Sequence, residues 1–232
     1  MTAAVRSAGV QSAGAFGLAS AASGFDEIFP ELPPTSVQTL SVNFVMPFTR
    51  ENLIALGLGN ASAACLKGAL GASAPSGSSA VLVTGGALES MYAHPYYSKV
   101  VLKERAGFVK IALQTGASLV PMWGFGENNL YENLAISSPR LRSLQRRIQR
   151  VLTFAPLMVA GRGVFSYAGG LIPRRRPITV VIGDPISVGK AEEKPSPDRI
   201  KEVHEQYKNA VEELFRKHKD IYDPKAQPIE FL

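Results

Sequence analysis

The chain has 232 residues, 46% of them hydrophobic and 19% charged, which excludes a disordered or low-complexity segment and suits one α/β domain, or two small ones, around a packed core. A single cysteine, Cys65, excludes an intrachain disulfide framework and fits a reducing compartment; in Ala63-Ala64-Cys65-Leu66 it reads as a small buried hydrophobe rather than a nucleophile. The net charge of +6 is unevenly spread, because between Asn133 and Gly183 there is no Asp, Glu or Lys but nine arginines: Arg140, Arg142, Arg146, Arg147, Arg150, Arg162, Arg174, Arg175 and Arg176.

In chain order, residues 1–24 are expected to be a poorly structured or divergent segment and residues 25–232 the domain. Ser7–Phe25 is uncharged but rich in Ala, Ser and Gly, too polar for a spanning helix. With Arg6 it also fits a cleaved targeting peptide. Val37–Phe44 alternates apolar and polar residues, the period of a strand, and Pro47 closes it. Asn52–Leu70 has helical spacing interrupted at Gly57 and Gly59. Ala72–Ser79 is a Gly/Ser/Pro loop. Ala80-Val81-Leu82-Val83 is a short apolar run, the pattern of a buried strand, stopped by Thr84-Gly85-Gly86.

Val100–Lys103 reads as a further strand. Gly107–Gln114 is predicted helical, with Phe108, Ile111 and Ala112 on its apolar face and Gly116 as its stop. Ser118–Trp123 is a buried strand. Leu141–Leu152 is a basic amphipathic helix, with Leu141, Leu144, Ile148, Val151 and Leu152 on one face and arginines on the other. It suits a membrane surface and a protein core equally well. Pro177–Ile182 is a strand ended by Gly183-Asp184-Pro185. The last helix starts after the N-cap candidate Ser196, with Pro197 in its first turn. Ile200, Val203, Tyr207, Ala210, Val211, Leu214 and Phe215 form its apolar stripe. Strands alternating with helices predict an α/β fold with a mixed or largely parallel sheet flanked by helices. The arginine forks suit anionic lipid headgroups, the phosphates of coenzyme A or nucleic acid, while for any one arginine a solvated surface is the simpler reading. Aromatic interleaving and a recognition motif are both missing from the segment, so no nucleic-acid partner is expected.

Several motifs occur in an order that resembles the diacylglycerol acyltransferase type 2 family. They are Phe29-Pro30 to Asn43-Phe44; Gly85-Gly86-Ala87-Leu88-Glu89-Ser90; Arg105-Ala106-Gly107-Phe108-Val109-Lys110; and Leu119-Val120-Pro121 followed by Phe125-Gly126-Glu127-Asn128. Gly161-Arg162-Gly163, Leu171-Ile172-Pro173 and Gly183-Asp184-Pro185-Ile186 follow, then the helix carrying His204 to Lys219. The resemblance implies a single-domain glycerolipid-acyltransferase-like sandwich. It also implies an acyl-CoA-dependent transferase acting on diacylglycerol or a related acceptor, in triacylglycerol synthesis. Acyl-CoA is then a co-substrate and no other cofactor is expected. An anionic membrane surface is the implied partner, on the cytosolic face of the endoplasmic reticulum or at a lipid droplet.

The family's His-Pro-His-Gly motif is absent. Counting back from Gly14-Ala15-Phe16, Arg6-Ser7-Ala8 stands where His-Pro-His belongs, and Gly9 completes the motif position. The chain is therefore read as an N-terminally truncated or divergent member, expected to be inactive as it stands. A non-catalytic acyltransferase-like protein that binds lipid or regulates a partner is the alternative.

An alcohol attacks a thioester only if a base takes its proton, a contribution of ~10²–10⁴-fold, and a histidine suits that role near neutral pH. The developing oxyanion needs donors, for which a turn at Gly85-Gly86 is a candidate. Glu89 is the candidate catalytic carboxylate, to support the base or hold the hydroxyl; helix capping is its ordinary alternative. His94 is the weak candidate for a substitute base, whereas His204 and His218 are expected to pack or cap. Gly85, Gly86, Arg105, Phe125, Gly126, Glu127 and Asn128 are the candidate substrate-binding residues, with Lys103 beside Arg105 for coenzyme A phosphates. Scattered histidines and the lack of a Cys-x-x-Cys pair predict no metal site. A Gly-x-Ser-x-Gly elbow is missing too, which disfavours a serine hydrolase.

Overall fold

The computed structural model describes residues 2–6, 35–39, 49–55, 58–74, 77–85, 89, 92–134, 159–163, 170 and 172–232. The predicted helix Leu141–Leu152 with its arginines, the end of the predicted strand beyond Thr39, Gly86 and the Ser7-Ala8 pair lie outside the described residues. The chain forms two compact units: Met1–Thr84, Arg105–Trp123 and Val180–Leu214; and Gly85–Glu104, Gly124–Thr179 and Phe215–Leu232.

The first unit is built on a mixed sheet, as the alternation of strands and helices predicts. Its strands are β1 (Thr2–Arg6), β2 (Thr35–Thr39), β3 (Gly59–Asn60), β4 (Ser79–Leu82), β6 (Ser118–Phe125) and β9 (Thr179–Ile182). Their order is β3-β2-β4-β1-β6-β9. β2 runs parallel to β3 and β4, whereas β1 runs antiparallel to both β4 and β6. Within residues 1–24, Thr2–Arg6 is thus a strand inside the sheet; its Thr-Ala-Ala-Val-Arg sequence is too weakly patterned to announce one. Arg6 pairs with Ser79 and Ser118, the first residues of β4 and β6, whereas Ala3 pairs with Leu82.

The interrupted helical stretch resolves into α1 (Thr49–Ala55) and α2 (Ala63–Leu70), separated by β3 at Gly59. α2 is capped by Ser62, whose Oγ accepts from the Cys65 N–H at 3.3 Å. Cys65 itself is exposed, against expectation, because α2 turns Leu66 and Leu70 into the core and Cys65 away from it. Helix α3 (Gly107–Thr115) ends at Gly116 in the left-handed conformation, as predicted. It buries Phe108, Val109, Ala112 and Leu113, while Ile111 is only half-buried, so the apolar face is rotated from the predicted one. Full burial of one such side chain contributes about 1.5–3 kcal/mol. Helix α4 (Pro197–Tyr222) starts at Ser196, whose Oγ accepts from the Arg199 N–H at 3.2 Å. Its Val203, Tyr207, Val211 and Leu214 are buried, and His204 packs with them, edge-on to Phe108 at 6.1 Å.

The second unit holds two small pairings. β5 (Lys99–Val100) runs parallel to β10 (Glu230–Phe231), and β7 (Glu132–Asn133) antiparallel to β8 (Val159–Ala160). The predicted strand Val100–Lys103 is thus shorter and starts one residue earlier, with Leu102 buried beyond it. Isolated bridges join Gly161 to Gly170 and Arg162 to Ile172. Phe125 stacks on Phe215, with centroids 5.7 Å apart, and also meets Tyr222 at 5.8 Å.

Candidate active site

Val83 and Thr84 lead from β4 to Gly85, and Glu89 follows in a helical conformation. The carboxylate of Glu89 folds back onto Gly85: a Cβ at position 85 would overlap Glu89 Oε2 and Cδ, and would stand 2.6 Å from Glu89 Cβ. Gly85 is therefore required for a close approach, but the approaching atoms belong to Glu89. The same Oε2 accepts from the Val101 backbone N–H at 3.4 Å. Glu89 is half-buried, so its charge is partly shielded while its position is set from two sides.

The Phe125-Gly126-Glu127-Asn128 turn follows β6. Gly126 has φ +83°, and a Cβ there would strike the Pro177 carbonyl oxygen, so both conformation and space demand glycine. Glu127–Asn129 forms one 3₁₀ turn. Glu127 is exposed, with Oε2 beside Gly124. Asn128 Nδ2 donates to the Tyr97 carbonyl at 2.7 Å. Asn129, not singled out in the sequence, accepts at Oδ1 from the Tyr96 N–H at 3.0 Å and donates from Nδ2 to Asp223 Oδ2 at 3.0 Å. Phe125 is buried in its aromatic stack.

His94 is half-buried on the loop that these asparagines hold. Its ring lies 4.8 Å from that of Tyr97, and its Nδ1 is 3.3 Å from the Pro95 carbonyl oxygen. In the Nδ1–H tautomer that nitrogen donates to Pro95, and Nε2 is the basic atom. Tyr96, in the same loop, has φ +66°, an unusual conformation for a bulky residue.

The second unit thus brings Glu89 to Gly85 and Val101, Asn128 to Tyr97, and Glu127 to Gly124. Arg105 belongs to the first unit, half-buried just before α3, and Lys103 is exposed. Of the arginines described in the basic segment, Arg174 pairs with Glu132 at 3.0 Å and Arg162 Nε donates to the Pro173 carbonyl at 3.1 Å. Arg175, Arg176 and Ile178 are exposed. Sequence reasoning missed Val101 because its contribution is a backbone N–H, which no side-chain motif encodes. The adjacent Asn128-Asn129 pair was a visible signal for a turn-and-tie element.

A fixed carboxylate of this kind accepts a proton-bearing group, such as an imidazolium or a hydroxyl, and holds it in one orientation. The family profile described as Diacylglycerol acyltransferase matches residues 4–231. The chain is 42% identical to diacylglycerol O-acyltransferase 2A of Umbelopsis ramanniana, over 91% of this chain and 60% of that protein. It is 38% identical to 2-acylglycerol O-acyltransferase 1 of Bos taurus, over 92% of this chain and 64% of that protein. Identity to diacylglycerol O-acyltransferase 2 of Homo sapiens is 37%, over 96% of this chain and 58% of that protein. The chain spans about six-tenths of the length of the curated relatives it matches. No solved structure matches it. With the ordered motifs, the mixed α/β fold and a match running nearly end to end, the chain belongs to the diacylglycerol acyltransferase family.

Proposed function

We propose that this chain is the acyl-transfer part of an acyl-CoA-dependent O-acyltransferase whose acceptor is the hydroxyl of diacylglycerol or a related neutral lipid. The observation that carries this reading is Glu89, the carboxylate of the Gly-Gly-Ala-Leu-Glu-Ser motif, held between Gly85 and the Val101 N–H within a match over residues 4–231. In the reaction the acceptor oxygen attacks the thioester carbonyl. The new C–O bond forms, the C–S bond breaks, and the hydroxyl proton passes to a base and on to the departing coenzyme A thiolate. Glu89 supports the base or holds the hydroxyl. The setting is the cytosolic face of the endoplasmic reticulum or a lipid droplet, where the exposed Arg175, Arg176 and Ile178 meet an anionic surface. Among the described residues no helix is long and apolar enough to cross a membrane.

Arg6-Ser7-Ala8 occupies the position of the family's His-Pro-His, so the 232-residue chain has little or no turnover on this reading. The test is the triple variant Arg6→His, Ser7→Pro, Ala8→His beside the native Gly9, assayed with radiolabelled acyl-CoA and diacylglycerol in mixed micelles. Transfer by the variant above the parent supports the reading. A folded triple variant that transfers nothing favours the second reading, a non-catalytic acyltransferase-like protein that binds lipid or regulates a partner enzyme. That second reading rests on the same three residues.

A further inference from the structure

We propose that the C-terminal segment Asp223–Leu232 is a positioning clamp for Glu89, acting through the backbone of Ser98–Lys103. The clamp is a run of ties along one stretch of chain. Glu230 N–H donates to the Ser98 carbonyl at 2.9 Å, and Leu232 N–H to the Val100 carbonyl at 2.8 Å. Lys103 N–H donates in return to the Leu232 carbonyl at 3.0 Å. The Lys99 ammonium meets the Glu230 carboxylate at 2.7 Å across the same pairing. Upstream, Gln227 N–H donates to the Tyr96 carbonyl at 2.7 Å, and Asp223 accepts from Asn129, which holds the Tyr96 N–H.

Strand geometry turns these ties into a statement about Glu89. In one trans peptide unit the carbonyl and the N–H point in opposite directions, and β5 ends at Val100, where the Leu102 N–H turns back onto the Val100 carbonyl at 3.2 Å. Ser98 and Val100 point their carbonyls at β10; Val101, the next residue, points its N–H the other way, onto Glu89 Oε2. Val100 and Leu102 are fully buried on either side of Val101 and anchor it in the core. The place of the Val101 N–H, and through it of the Glu89 carboxylate against Gly85, is thus set by whether β10 is docked. Glu230 and Phe231 act through the β5 backbone, as positioning residues.

Glu89 matters to catalysis only under the acyltransferase reading, so the clamp is tested first without turnover. Lys99→Glu and Glu230→Lys single variants, their double variant, and a chain ending at residue 227 are compared with the parent. The readouts are amide hydrogen exchange at Val101 and the carboxyl carbon chemical shift of Glu89 at fixed pH. Each single variant should exchange the Val101 amide roughly two- to fivefold faster, the change expected from losing one half-exposed ion pair. The double variant should restore it, and the shortened chain should move the Glu89 carboxyl carbon shift while α3 amides stay protected. In the triple variant with the restored histidine motif, the same changes should lower kcat while leaving KM for acyl-CoA within about twofold. Unchanged Val101 exchange and an unchanged Glu89 carboxyl shift in the shortened chain overturn the clamp whatever the activity. Altered exchange and an altered Glu89 carboxyl shift, together with a folded motif-restored triple variant that transfers no acyl groups, retain the clamp and overturn the acyltransferase reading.

Discussion

The carboxylate of Glu89 occupies the volume that a side chain at Gly85 would need. A methyl group there meets Oε2, Cδ and Cβ of Glu89 together, so the carboxylate has to leave its place beside the Val101 N–H. Gly85→Ala should therefore mimic Glu89→Gln in function while leaving the charge present. In an active, motif-restored protein both should lower turnover by ~10-fold or more with little change in KM for acyl-CoA. Steady-state kinetics of the two variants and their double variant check this. Fully additive losses would mean that the two positions act independently.

Gly126 is the least replaceable residue of its turn. Its positive φ and the nearby Pro177 carbonyl oxygen penalise any Cβ. Gly126→Ala is expected to destabilise the fold by about 2 kcal/mol or more, from left-handed strain and backbone collision added together. Urea unfolding followed by circular dichroism measures it, and a loss below about 0.5 kcal/mol would contradict the described contact.

Asn129 ties two segments at once, holding the Tyr96 N–H and the Asp223 carboxylate. Asn129→Ala should cost about 1–3 kcal/mol by leaving a backbone donor without its acceptor. Asn128→Ala, which removes one bond to an otherwise reachable carbonyl, should cost less, near 0.5–1.5 kcal/mol. Tyr96→Gly relaxes the left-handed backbone but loses the ring that lies beneath Lys225 at 5.9 Å, and the two effects should nearly cancel. Denaturation midpoints of the three variants give the order.

Binding to anionic vesicles should depend on salt and on Arg175 and Arg176, both exposed beside the exposed Ile178. A basic residue at an anionic surface contributes about 1 kcal/mol, screened as ionic strength rises. The double variant Arg175→Glu, Arg176→Glu should bind vesicles containing phosphatidylserine at least ~10-fold more weakly. Co-sedimentation across a salt series reads this out, and equal binding to neutral and anionic vesicles would sink the idea.

The sequence by itself determined the elements whose signal is local. Helix α4 is legible from its stripe and from the Ser196 cap, and α3 from its spacing and Gly116. β4 and β6 are legible as apolar runs. The family is legible from ordered motifs, and so is the candidacy of Glu89, because motif chemistry is written in side chains along the chain. Tertiary structure alone decided the rest. β1, Thr-Ala-Ala-Val-Arg, has no strong strand pattern of its own, and it becomes a strand because β4 and β6 each offer a ladder edge to it. Glu230–Phe231 is too short to announce itself and exists as β10 only through Lys99–Val100. The contact of the Glu89 carboxylate with the N–H of residue 101 is a distance in space, and so is the pairing of Lys99–Val100 with Glu230–Phe231, more than a hundred residues on. Local pattern carries no record of such pairing, because hydrogen bonds between strands are made by backbone groups that every residue other than proline possesses.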